Sequence, residues 1–272
     1  MSTVFVTGPF DDLGSRELRF LQEASRLGPL TVLLWPDAAI TRHLGRAPRF
    51  PLAEREYVLK AVRYVSRVVS LRDLPDPDLL PTSSSRGFQS WADVAVAANS
   101  KRREHCRAMG LEYRVFEEDA LKGFPDDFKP EPTPSDRKKV VVTGCFDWLH
   151  SGHVRFFEEA SSYGDLLVVV GHDDNIRLLK GEGHPHFPQE ERRYLVGSVR
   201  HVSRALISTG TGWMDAAPEI ERLRPDIYAV NEDGDKGGKR EFCEKHSIQY
   251  LVLKRAPAPG LPSRTSTDLR GF

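Results

Sequence analysis

The feature that most constrains the fold is that the chain repeats itself. Residues 7–25 (TGPFDDLGSRELRFLQEAS) align without gaps on residues 143–161 (TGCFDWLHSGHVRFFEEAS), with eleven of nineteen positions identical. Residues 50–69 (FPLAEREYVLKAVRYVSRVV) match 187–206 (FPQEERRYLVGSVRHVSRAL), and 102–116 (RREHCRAMGLEYRVF) echo 239–253 (KREFCEKHSIQYLVL). Three matched blocks in one order mean a duplicated domain. The period is far longer than the roughly 20–50 residues of a solenoid repeat, so each copy has to bury a core of its own. The 272 residues are enough for two such domains.

Each copy alternates strand and helix signals. KVVVT (139–143) is a β-branched run, VRFFEEASSYG (154–164) is helical, and DLLVVVG (165–171) has the continuous apolar character of a parallel strand buried on both faces. Residues 189–204 are read as one helix, DIYAVN (226–231) as a strand, 239–246 as a helix and QYLVL (249–253) as a strand. This alternation predicts an α/β fold: two tandem Rossmann-like, doubly wound parallel-sheet domains, whose ligands bind at the carboxyl ends of the strands. The expected boundaries are 1–118 for the first domain and 138–272 for the second. Residues 119–137, rich in Pro, Asp and Lys, are expected to be the linker. A second loop, 74–88, lies inside the first copy.

Bulk properties narrow the function classes. Lys plus Arg (39) balance Asp plus Glu (39), so net charge predicts no nucleic-acid or membrane partner. Three cysteines without CxxC spacing read as reduced thiols of a cytoplasmic protein. The amino-terminal MSTVFVTGPFDD lacks the pattern of a signal peptide, and no apolar run approaches a membrane span.

The chemistry concentrates in TGCFDWLHSGH (143–153), where a strand gives way to a helix. Gly144 is expected to permit a turn that a Cβ would resist. With a helix starting near Ser151, His150 and His153 face one side, and Gly152 opens the backbone between them. The first turn of a helix offers unpaired N–H groups and a positive dipole end, which attract anions. The combination predicts a phosphate site with two imidazoles aimed into it; a dinucleotide-binding GxGxxG is absent.

GCFDWLHSGH resembles the G-x-F-D-x-x-H-x-G-H signature of the cytidylyltransferase-like nucleotidyltransferases, a family that includes glycerol-3-phosphate, phosphocholine and phosphoethanolamine cytidylyltransferases and the adenylyltransferase of ADP-heptose synthesis. LLKGEG followed by the ERRYLV helix resembles the family's lysine loop and E-R-x-x-x-V helix, and PSRTSTDLR (262–270) resembles its closing segment, shortened between the arginine and the Ser-Thr pair. The resemblance implies that His150, His153 and Lys180 are catalytic, stabilising charge on an attacked α-phosphorus. It also implies that Thr143, Gly144, Cys145, Phe146, Gly152, Arg200, Arg264, Ser266 and Thr267 bind the nucleotide. Asp147, Asp173, Arg192, Trp213, Asn231 and Glu232 are candidates for a substrate or base pocket, with Asp147 equally suited to ordering the turn. The implied reaction transfers a nucleoside monophosphate, CMP from CTP in preference to AMP from ATP, to a small phosphorylated or phosphonate substrate and releases pyrophosphate carrying Mg²⁺. An ionised phosphate nucleophile needs no general base, so catalysis rests on positioning and electrostatics.

Other features have plainer readings. His184 and His186 (GHPHF) are read as part of a proline-containing surface loop rather than as a metal site. Trp148 packs or stacks on a base. Cys145 is a packing residue, and matched Cys106 and Cys243 suit buried helix faces. In the first copy Gly14 and Glu17 replace the two histidines, Arg16 replaces Gly152, and the lysine loop becomes TRHLGRAPRF. That copy is expected to be catalytically silent and to serve as an intramolecular partner, a pseudo-dimer, rather than a bead on a linker; a further homodimer is compatible with this. The rival class is a nucleotide-binding regulatory protein in which neither half turns over. A class I aminoacyl-tRNA synthetase is set aside because no KMSKS-like segment is present.

Overall fold

A computed structural model describes residues 3–80, 87–125 and 136–265. The chain divides into two compact units, Met1–Gly123 and Phe124–Phe272. The first carries β1 (Val4–Gly8), α1 (Ser15–Ser25), β2 (Leu30–Leu34), α2 (Asp37–Leu44), α3 (Leu52–Ala61), β3 (Arg67–Ser70), β4 (Ser90–Val94), α4 (Ser100–Met109) and β5 (Glu112–Phe116). The second carries β6 (Lys139–Gly144), α5 (Ser151–Ser161), β7 (Asp165–Val170), α6 (Asp173–Lys180), α7 (Gln189–Gly197), β8 (Val202–Ile207), α8 (Ala217–Leu223), β9 (Ile227–Asn231), α9 (Lys239–Lys245) and β10 (Gln249–Leu253).

Each unit is built on a five-stranded parallel sheet, ordered β3-β2-β1-β4-β5 in the first and β10-β9-β6-β7-β8 in the second. Read from the opposite edge, the second order is the first. Both are the doubly wound arrangement that the alternation predicts. All five residues of β2 are buried, as helices on both faces of a parallel sheet require. Phe5 and Trp91 anchor one core, and Val141, Tyr228 and Ile220 the other. Cys106 and Cys243 lie buried at matched places in α4 and α9, and burial pushes each thiol up to about 11.

The two sheets open at the same seam. β6 pairs with β9 only through Val140↔Ile227 and Val141↔Tyr228, and β1 with β4 only through Val4↔Ser90 and Phe5↔Trp91. Beyond those rungs the strands part, and a cleft forms where the winding direction reverses, the usual ligand position in such sheets.

Three expectations need correction. The helix read over 189–204 ends at Gly197, and the chain turns into β8; Val196, Val199 and Val202, spaced by three, imitate a helical stripe, but VSRALI belongs to the sheet. Lys180 is the last residue of helix α6, where a cation complements the helix dipole, and does not sit within a glycine-bounded loop. The expected linker begins too early: Glu118–Leu121 form a 3₁₀ turn with Leu121 buried, and the Ala120 carbonyl accepts from Arg19 Nη2 at 2.9 Å. Among the described residues no helix is long and apolar enough to cross a membrane.

A buried guanidinium organises the rim of the second sheet. The Arg192 side chain, fully buried, donates to the carbonyls of Phe187 (2.9 Å), Cys145 (2.7 Å) and Gly171 (2.8 Å) and to Asp173 Oδ1 (2.6 Å). Arg55 does the same in the first unit, to Phe50, Pro9, Trp35 and Asp37. Removing such a group leaves buried acceptors unpaired. Arg192→Met is therefore expected to destabilise the second unit by about 3–5 kcal/mol, and Arg55→Met the first by a similar amount, read from urea unfolding curves.

Candidate functional site

The cleft of the second unit is an open cavity of about 310 Å³ at the carboxyl ends of β6 and β9. Its walls bring together Thr143, Gly144, Cys145, Phe146, His150, Gly152, His153, Lys180 and Asn231 from the residues singled out in the sequence. They add Asp233, Gly234 and Lys239 of the acidic, glycine-rich loop NEDGDKGGK (231–239), which its place after β9 sets to meet a base or substrate, and Arg255 and Thr265, to which sequence reading gave no role.

The turn after β6 is shaped by Phe146, whose φ of 51° is left-handed. Its ring folds back over Gly144, where a Cβ would lie 2.8 Å from the ring. Gly144 is thus needed for space under Phe146, not for its own dihedral angles. Phe10 repeats this conformation in the first unit, at φ 41°.

His150 is the N-cap of α5. Its Nδ1 accepts the Gly152 N–H at 3.1 Å, which fixes the ring proton on Nε2. Nε2 is buried with no hydrogen-bond partner among the described residues, and the same holds for Nδ1 of His153. Buried polar atoms are rarely left so without a ligand to satisfy them. The two rings stack, with centroids 3.9 Å apart and planes at 24°, and Phe146 packs edge-on to His153 at 5.3 Å. Gly152 makes room for this pair: a Cβ there would meet the His150 ring at 2.9 Å and the Arg264 carbonyl at 3.2 Å.

The electrostatics match an anion. Burial, with Arg255 and Arg264 adding repulsion, pushes His150 down to about 4, and burial together with His150 holds His153 well below its ordinary value. Both imidazoles are neutral at pH 7, and His150 offers its Nε2–H group rather than charge. The charge comes from Lys180, Lys239 and Arg255 around them. Lys180 hydrogen-bonds Cys145, whose thiol is raised by burial and lowered in turn by that ammonium. Lys239 Nζ donates to the Gly234 carbonyl at 3.0 Å, and burial lowers its pKa. Arg255, just past the end of β10, pairs with Asp233 and donates to the Arg264 carbonyl at 3.2 Å. Its place beyond a strand's carboxyl end was the one sequence signal that could have marked it.

Other candidates lie elsewhere. Asp173 and Arg192 pair with each other as rim struts, away from the cavity wall. Asp147 touches the cavity, but its carboxylate accepts the N–H groups of His186 (2.8 Å) and Phe187 (3.0 Å), so it orders the loop. Trp213 is 54% exposed with Lys236 over its ring, Glu232 accepts the Arg255 N–H at 3.3 Å, and Arg200 is exposed; none of the three lines the cavity. Trp148 packs on Phe187, with ring centroids 5.4 Å apart. Arg264 borders a small neighbouring cavity with Arg255 and Lys254. Ser266 and Thr267 lie outside the described residues.

The first unit keeps a cleft of about 340 Å³ at the same seam. There Glu17 bends back and accepts the Gly14 N–H at 3.1 Å, so that a carboxylate occupies the helix start that an imidazole caps in the second unit. Arg16, in place of Gly152, pairs with Glu118. Asp11 still accepts the N–H groups of Arg49 (2.9 Å) and Phe50 (3.0 Å), as Asp147 does for His186 and Phe187. The groups shared by both copies are thus architectural, and those confined to the second are the ones a polyanion would use.

The comparisons with known proteins fall on the second unit. The sequence model of the family described as cytidylyltransferase-like matches residues 141–264. A FAD synthase of Thermococcus kodakarensis is 40% identical over 124 residues, covering 43% of this chain and 80% of the relative. A FAD synthase of Ferroglobus placidus is 38% identical over 120 residues, covering 43% and 75%. The bifunctional protein HldE of Aliarcobacter butzleri is 46% identical over 121 residues, covering 43% of this chain and 24% of that protein.

The buried neutral imidazoles make stability pH-dependent. With a folded pKa near 4 against the ordinary 6.5, His150 is neutral in both states above pH 7 and contributes no dependence there. Between pH 6.5 and 4 the unfolded chain takes up a proton that the folded chain refuses, so stability falls as pH falls. Going from pH 7 to pH 5 should cost about 2 kcal/mol through His150, and His150→Gln should remove that part of the loss in urea titrations at the two pH values.

Proposed function

We propose that this chain, which belongs to the cytidylyltransferase-like nucleotidyltransferase family, transfers a nucleoside monophosphate from a triphosphate to a small phosphorylated acceptor at the cleft of its second unit. The observation that carries the reading is the stacked pair of neutral imidazoles, each with a ring nitrogen unsatisfied among the described residues, ringed by Lys180, Lys239 and Arg255 at the start of α5. An acceptor phosphate oxygen attacks the α-phosphorus, the bond to the β-phosphate oxygen breaks, and its electron pair leaves on pyrophosphate. His150 Nε2–H donates to the phosphoryl oxygens as charge builds on them. Lys180 supplies a fixed positive charge from across the cleft. The acceptor phosphate is already ionised, so no side chain has to remove a proton.

The favoured pair of substrates is ATP and FMN. It rests on the relatives named FAD synthase, because FAD is FMN joined to AMP through a pyrophosphate bridge. The description of the family model keeps CTP with a phosphorylated alcohol as the second reading. Mg²⁺ would arrive on the triphosphate. The lining carboxylates are engaged, Asp147 by backbone N–H groups and Asp233 by Arg255, so phosphate oxygens and water would supply most of its ligands. The first unit, with Glu17 across its helix start, is proposed to be catalytically silent.

Pyrophosphate release, measured with ATP, CTP, GTP and UTP against FMN and a panel of phosphorylated alcohols and sugars, tests the reading. Turnover is expected with ATP and FMN, and silence across the whole panel would reject nucleotidyl transfer. His153→Ala should lower kcat by at least ~10²-fold. Histidines introduced by Gly14→His and Glu17→His, in a chain carrying His150→Ala and His153→Ala, should restore no turnover, because the first copy has no counterpart of Lys180.

A further inference from the structure

Asp147 belongs to a second cluster at the edge of the cleft. The loop 184–187 folds back on it, so that one ligand atom each from Asp147, His184 and His186 lie within 4.8 Å of one another. His184 Nδ1 stands 3.9 Å from Asp147 Oδ2. The carboxylate that meets the two histidines is therefore supplied by the β6–α5 turn, some forty residues earlier.

The first unit shows what this carboxylate requires. Asp11, its counterpart, has a side chain only 2% exposed, and besides the two backbone N–H groups it holds the guanidinium of Arg46, whose Nη1 lies 2.5 Å from Oδ2. A buried carboxylate is costly without a cation against it. In the second copy the matching loop, GEGHPHF (181–187), carries no arginine, and among the described residues none pairs with Asp147, whose side chain is 7% exposed. Two imidazoles stand there instead. Two histidines and one carboxylate are a donor set for borderline divalent transition metals, whereas Mg²⁺ and Ca²⁺ prefer oxygen ligands. Tetrahedral Zn²⁺ with bonds near 2.1 Å places neighbouring ligand atoms about 3.4 Å apart. The 3.9 Å separation needs little closing, and exposed His186 has room to swing inward.

We infer that Asp147, His184 and His186 bind a borderline divalent metal ion, Zn²⁺ or Co²⁺, which takes the place of the Arg46 cation and clips the loop after α6 to the turn that carries the catalytic histidines. The ion would be a resident clip, separate from the Mg²⁺ that accompanies a triphosphate, and the inference does not depend on the identity of the nucleotide or acceptor.

The test is titration of untagged, metal-stripped, full-length protein with Co²⁺, followed by visible absorption and by equilibrium dialysis, with Zn²⁺ as competitor and no nucleotide present. One equivalent per chain is expected, displaced by Zn²⁺ but not by Mg²⁺. His184→Ala with His186→Ala should abolish binding. His186→Ala alone, an exposed change that leaves the fold intact, should weaken it by at least about tenfold. His150→Ala with His153→Ala should leave it in place. The inference is overturned by an absence of stoichiometric binding, by binding that survives loss of His184 and His186, or by binding lost with His150 and His153. A metal-free imidazolium signal from His184 persisting at pH 8 would overturn it as well, because a protonated histidine would then be the cation. All of these readouts are independent of turnover, so their failure leaves the proposed reaction untouched.

Discussion

The structure of each unit turns on one buried guanidinium. Arg192 reaches the backbone after β6, the backbone after β7, the loop before α7 and the first residue of α6, and so ties four segments at one end of the sheet. It is a shared support for the turn carrying His150 and the helix carrying Lys180. A charge in that place is tolerated because every donor direction in use meets an acceptor. Arg55 makes the matching set of contacts in the first unit, where Gly14 and Glu17 stand in place of the two histidines. Its retention there shows that the arginine answers to the fold.

The two copies differ mainly at the start of one helix. In α5 the cap is an imidazole that spends one nitrogen on the backbone and keeps the other unsatisfied. In α1 the corresponding turn caps itself with Glu17, whose pKa is raised by burial even as it accepts backbone N–H groups. A carboxylate already seated at a helix N-terminus competes with any incoming anion for the same N–H groups and dipole. The first unit thus caps itself with a carboxylate at the point where the second keeps a buried ring nitrogen without a partner among the described residues.

Much of this was legible in the sequence because the repeat provides its own control. Strand identity, the doubly wound order and the clustering of Thr143–Phe146, His150, Gly152, His153 and Lys180 follow from local pattern and from a motif at a strand–helix junction. The errors arose where position depends on distant parts of the chain. Arg192 and Asp173 carry charge in a functional-looking stretch, yet they are spent on each other and on carbonyls. Arg255 reaches the cleft from the far edge of the sheet, with no motif around it. Asp147 meets His184 and His186 only because the loop closes over the turn. The helix predicted beyond Gly197 failed for another reason, since valines spaced by three suit a helix face and a buried strand alike.

The early parting of the central strands has a consequence for how such proteins change over time. Because β1 and β4 pair over only two rungs, as β6 and β9 do, the hollow between them is dictated by the path of the backbone. Side-chain replacement redecorates that hollow but does not fill it, so a lineage that abandons catalysis inherits an empty vestibule along with its scaffold. A duplicated half of this kind is a standing invitation to new ligands, available at no architectural expense.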